Sequence, residues 1–140
     1  MGIPFDSLPP AIRRRIDPSS TPAALLPGVS VDAREKAIAK DEREIQKQIS
    51  SFLRLRGIWA DSDAMHKRRS GTVGTPDFVF PYKGHFVAWE IKCPWSPRLR
   101  PEQVQARDAI IAQGGQWRRI TSLAEAQQHL REIDAANRND

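Results

Sequence analysis

With 140 residues, 39% of them hydrophobic, the chain has material for one modest core and a single domain. Its one cysteine, Cys93, excludes an intrachain disulfide and points to a reducing compartment. Twenty-two basic against seventeen acidic residues give a net charge of +5 and a pI near 9.9, which fits an anionic partner such as nucleic acid and equally fits a plain soluble surface.

Residues 1–29 hold six of the eleven prolines, which remove backbone donors and oppose helix continuation. They predict an extended, disordered arm with one turn around Ala11–Ile16. The Arg13-Arg14-Arg15 run is either solvated or a phosphate contact. No apolar run here suits a signal peptide, and none in the chain suits a membrane span, so a cytoplasmic protein without membrane contact is expected. Ser30 is a candidate N-cap for a helix over 31–56, with Ile38, Ile45, Ile49, Phe52 and Leu53 on one stripe and Gly57 as its stop. Ile58–Ala60 opens a first strand. Residues 61–75, with His66, Lys67, Arg68, Arg69, Gly71 and Gly74, read as a loop.

Two strands follow, Asp77–Phe80 and His85–Lys92, turning at Pro81–Gly84. Pro94–Arg100 is a connector. Pro101 opens a helix that Gly114-Gly115 ends, Gln116–Ile120 is a short strand, and Ser122-Leu123-Ala124-Glu125 caps a last helix. That helix shows Leu123, Ala126, Leu130 and Ile133 on one face, and residues 135–140 form a tail. The order is α-β-β-β-α-β-α or one strand fewer, an α/β chain whose domain covers 30–134. The three histidines, His66, His85 and His129, are too scattered for a ligand set and read as surface or turn residues. Cys93 reads as a packed thiol.

The chemistry concentrates on the hairpin. Side chains alternate along a strand, so Phe86, Ala88, Glu90 and Lys92 share one face while Val87, Trp89 and Ile91 face a core. A two-residue turn sets Asp77 opposite Glu90, and a four-residue turn sets it opposite Ala88. Either register places Asp77 on the face of Glu90 and Lys92. Opposed carboxylates destabilise a sheet unless a cation compensates. Lys92 does so in part, and a hydrated Mg²⁺, which favours one or two carboxylates, does so better. The alternative is a surface cluster on an open face. Lys67, Arg68 and Arg69 are either DNA backbone contacts beside the site or a solvated loop, and Arg98, Arg100, Arg118 and Arg119 are further phosphate candidates. Trp95 is read as packed on the connector, with base stacking as the other option.

Gly74-Thr75-Pro76-Asp77 followed by Trp89-Glu90-Ile91-Lys92 resembles the PD-(D/E)XK nuclease superfamily, and within it the VRR-NUC group. Glu42-Arg43-Glu44-Ile45-Gln46, Leu53-Arg54-Leu55-Arg56-Gly57 and Pro101-Glu102-Gln103 carry the resemblance over about residues 40–130. It implies a restriction-endonuclease-like core, a mixed sheet flanked by helices, and metal-dependent DNA endonuclease activity. Asp77, Glu90 and the Ile91 carbonyl would bind Mg²⁺ or Mn²⁺, Lys92 would be the catalytic lysine, and an acid of the first helix would complete the site. Glu42 and Glu44 compete for that role; Glu42 is favoured because it lies near the apolar stripe. Gln103 matches an active-site glutamine of the family, or is an ordinary first-turn residue. Stand-alone members resemble Holliday-junction resolvases of phages and bacteria, which implies branched DNA as partner and a homodimer. A DNA-binding module that does not cut is the alternative.

Overall fold

A computed structural model of the protein describes residues 27–62 and 73–139. Its contacts divide the chain into two units, Met1–Ile38 and Ala39–Asp140. In the first, the described residues are a turn at Pro27-Gly28 and the start of helix α1 (Val31–Leu55). Ser30 Oγ accepts from the Ala33 amide at 3.2 Å, an N-terminal cap as expected. The rest of the expected arm, including Arg13–Arg15, lies outside the described residues, as do His66 and Lys67–Arg69.

The second unit holds the remainder of α1, then β1 (Asp61–Ser62), β2 (Phe78–Tyr82), β3 (His85–Ile91), α2 (Pro101–Ala112), β4 (Gln116–Ile120) and α3 (Leu123–Arg138). The strands lie side by side in the order β1-β2-β3-β4, antiparallel except for the parallel β3–β4 pair that α2 joins. The result is a mixed α/β sheet flanked by three helices. The first strand comes later than Ile58–Ala60, and α3 runs on through residues 135–138, which had read as tail.

The central hairpin is set by two residues. Lys83 and Gly84 both take positive φ, 47° and 86°. That is the backbone of a two-residue turn whose twist matches the strands. It pairs Tyr82 with His85 and Phe78 with Trp89, the tighter of the two registers the sequence allows. Phe78, Phe80 and Tyr82 then join Val87, Trp89 and Ile91 on one buried face. Ile49 and Leu53 of α1 and Ala126, Leu130 and Ile133 of α3 close that core, with Phe80 edge-on to Trp89 at 4.8 Å. Helix α2 lies on the opposite face and buries none of its residues. Ser122 caps α3: its Oγ accepts from the Glu125 amide at 3.2 Å, while the Glu125 carboxylate takes the amide and hydroxyl of Thr121, one residue before the cap, in place of the reciprocal bond of a capping box. Among the described residues no helix is long and apolar enough to cross a membrane.

His129 corrects the sequence reading. It is no surface residue: it is 3% exposed, and its Nδ1 accepts from Trp89 Nε1–H at 2.8 Å. That contact leaves the proton on Nε2. Burial, helped by the Arg118 guanidinium, pushes the imidazole down to about 4 from 6.5. Below pH 6.5 the unfolded chain therefore takes up a proton that the folded chain refuses, so this contribution to stability is whole above 6.5 and lost by about 4. The loss is about 3 kcal/mol at 1.36 kcal/mol per pH unit. In His129→Gln, which keeps an acceptor for Trp89, thermal melts across this window should lack that part of the slope. An unchanged slope would show that His129 is protonated in the folded chain.

Candidate active site at the open end of the hairpin

Asp77 sits one residue before β2, and the register carries it level with Glu90. Its Oδ2 accepts from the Ile91 amide at 2.8 Å, so the carboxylate is held across the Glu90–Ile91 peptide. Strand alternation turns Glu90 and Lys92 to the same face. Both are nearly enclosed, at 4% and 8% exposure, against fully buried Ala88 and half-buried Val79.

Gln103, in the first turn of α2, reaches Glu90 from above the sheet. Its Oε1 accepts from the Arg100 amide at 2.9 Å, which fixes the amide orientation, and its Nε2 donates to Glu90 Oε1 at 2.6 Å. One side chain thus closes the helix start and aims the carboxylate. Gly74 makes this approach possible. At φ +91° it passes so near α2 that an added Cβ would lie 2.4 Å from the Glu102 carbonyl oxygen.

The electrostatics follow from the enclosure. Burial raises the Glu90 carboxyl to about 8, and the charges of Asp77 and Glu42 push the same way against the pull of Lys92. Two acids thus crowd one enclosed spot, with a lysine beside them, on hard oxygen donors.

Helix α1 supplies the third acid. Glu42 Oε1 accepts from the Cys93 amide at 3.4 Å, just beyond β3. Glu44 is exposed and lines a different surface with Lys47 and Leu123. Of the two candidates Glu42 stands at the site. Its neighbour Asp41 went unseen in the sequence. Asp41 Oδ2 takes Trp95 Nε1–H at 2.8 Å and lies 3.7 Å from Cys93 Sγ, strapping the connector onto the helix. No local pattern could reveal a contact spanning 54 positions. Trp95 is thereby packed on the connector, and burial raises the Cys93 thiol to about 11, leaving it protonated and inert.

The structure brings together Asp77, Glu90, Lys92, Glu42, Gln103 and the Ile91 backbone. Arg98, Arg100, Arg118 and Arg119 are exposed, and only Arg119 pairs in register with Glu90. Among the described residues no group of three or more His, Cys, Asp or Glu side chains is arranged to hold a metal ion. The Asp77 and Glu90 carboxylates are hard oxygen donors, a chemistry that suits a largely hydrated Mg²⁺ or Mn²⁺ and not a thiolate- or imidazole-bound metal. Comparison with family models, with curated proteins and with solved structures gives no match.

Proposed function

We propose that the protein is a divalent-metal-dependent DNA endonuclease of the PD-(D/E)XK kind, VRR-NUC-like, with a restriction-endonuclease-like core. One observation carries the reading: Asp77 and Glu90 are crowded together in an enclosed site where Glu90 is held as high as about 8, beside Lys92. A chain gains no stability from burying opposed carboxylates, and such strain marks functional sites.

In this reading Asp77, Glu90 and the Ile91 carbonyl would hold Mg²⁺ or Mn²⁺. The bound ion would lower the pKa of a water and polarise the phosphoryl oxygen. Lys92 holds the attacking water and neutralises charge that develops on the phosphate. Gln103 keeps Glu90 aimed, and Glu42 anchors the Cys93 end of the site. The preferred substrate is branched DNA, cut in a resolvase-like way by a two-fold dimer.

The test incubates the protein with Mg²⁺, then Mn²⁺, on a labelled four-way junction and a matched linear duplex, with Asp77→Asn as control. Paired nicks in the junction alone are the expected result. Cutting of both substrates removes the branch preference and keeps the nuclease. Binding without metal-dependent cutting replaces the enzyme with a DNA-binding module.

A further inference from the structure

The parallel pairing of β4 with β3 sets Arg119 beside Glu90, on the same face of the sheet and about 4.8 Å away between backbones. Arg119 also opens onto a cavity of about 700 Å³ between β4, the Pro94–Pro97 connector and α3. Three guanidiniums line it, Arg118, Arg119 and Arg131, together with Glu125 and Glu132. Their partners sort them. Arg118 is neutralised by Glu132 at 2.8 Å. Glu125 spends its two oxygens on Thr121. Arg119 gives one N–H to the Pro97 carbonyl, and Arg131 gives two to the Gln128 amide oxygen. Those acceptors are neutral, so both guanidiniums keep a full charge and spare donors; Glu125, bonded to neutral Thr121, keeps its charge as well, so the three guanidiniums and two carboxylates leave the lining at +1.

We infer that this cavity is a phosphate cleft for the nucleic-acid backbone, with Arg119 and Arg131 as its ligands. A guanidinium suits that role because its forked donors match a phosphate's oxygens. The cavity lies on the α3 side of β4, the strand next to the one that carries Glu90, so a backbone bound there would run along the edge of the sheet beside the Asp77–Glu90 strand pair. The assignment rests on the nuclease reading for its substrate class, but the binding needs no cleavage.

Fluorescence anisotropy with labelled duplex and single-stranded DNA, in metal-free buffer over a range of salt, tests it. Each phosphate contact adds about 0.7–0.9 to the slope of log affinity against log salt. Arg119→Gln and Arg131→Gln should each reduce that slope by about one, and together by about two. Arg138→Gln removes the same charge from α3 without touching the cavity and should leave the slope near the parent's. Melting temperatures confirm that these exposed substitutions leave the fold intact. If the parent cuts DNA yet both arginine variants keep its slope, or Arg138→Gln matches them, the cleft is overturned and the nuclease stands. A reduced slope without any metal-dependent cutting keeps the cleft and overturns the nuclease.

Discussion

Glu90→Gln is expected to abolish cleavage while making the metal-free protein more stable above neutral pH. The first half follows from the loss of a charged ligand. A bound metal contributes several kcal/mol to the barrier, and about 4 kcal/mol is a factor of roughly 10³ in rate. The second half follows from linkage. Between pH 4.5 and about 8 the folded chain holds a proton on Glu90 that the unfolded chain has released. This contribution is whole below 4.5 and disappears as pH rises through 8, at about 1.4 kcal/mol per unit. Glutamine keeps the acceptor for Gln103 and removes the titration. Melts of parent and variant in chelator, from pH 5 to 9, should therefore diverge as pH rises. The titration of His129 runs the other way between about 4 and 6.5, so the parent curve is flattened there and turns down above it. Saturating Mg²⁺ should restore the parent at high pH, since a ligand that binds only the folded chain stabilises it. A variant that cuts at the parent rate, or parent and variant curves that stay parallel, would sink this account of Glu90. Asp77→Asn and Lys92→Ala should likewise stop cleavage while the protein stays folded.

The second large effect is expected at a residue without a functional group. Gly74→Ala adds a methyl that must fit 2.4 Å from the Glu102 carbonyl oxygen and 2.6 Å from its carbon. Both are backbone, so no flexible side chain can give way. The first turn of α2 has to move, and Gln103 moves with it. Overpacking costs about 1–3 kcal/mol and a left-handed alanine about 1–2 more. At roughly 3–4 °C per kcal/mol the melting temperature should drop by about 10 °C. Cleavage of the surviving folded protein should fall about 10- to 100-fold, as it should in Gln103→Ala, because a carboxylate that has lost its outer partner is no longer aimed. Gly114→Ala is the control: its φ is +85° but nothing lies within 4 Å, so only backbone strain remains. Equal melting temperatures and rates for the two alanine variants would show that the approach of Gly74 to α2 has no role.

Much of this architecture was legible because it is local. Period-two alternation separated Trp89 from Glu90, proline and serine marked the starts of α2 and α3, and the Lys83-Gly84 turn left only two registers to weigh. The choice of Glu42 over Glu44 came from helical phase, which the packed Ile45, Ile49 and Leu53 stripe obeys. What escaped was non-local. His129 reads as polar in a helix, and only the nearby Trp89 indole makes it a core residue. Asp41 is one acid among several on α1, and only the folded connector gives it Trp95. The first strand is two residues long, too short for any period to register. The charged run Lys67–Arg69 lies outside the described residues.

The hydrogen bonds around the centre span very different lengths of chain, and that difference orders its assembly in time. Asp77 and Ile91 are 14 positions apart and Gln103 and Glu90 are 13, whereas Glu42 and Cys93 are 51 apart. Closing the longer loop costs roughly 1 kcal/mol more in chain entropy. A hairpin forms within about 1–10 microseconds, and contacts between distant segments come later. By that ordering the carboxylate pair should be in place before helix α1 docks, and for that interval two like charges would stand in a half-built, water-filled notch. Hydration carries them through it. The crowding of the two acids should then rise as α1 closes on Cys93 and water leaves the centre.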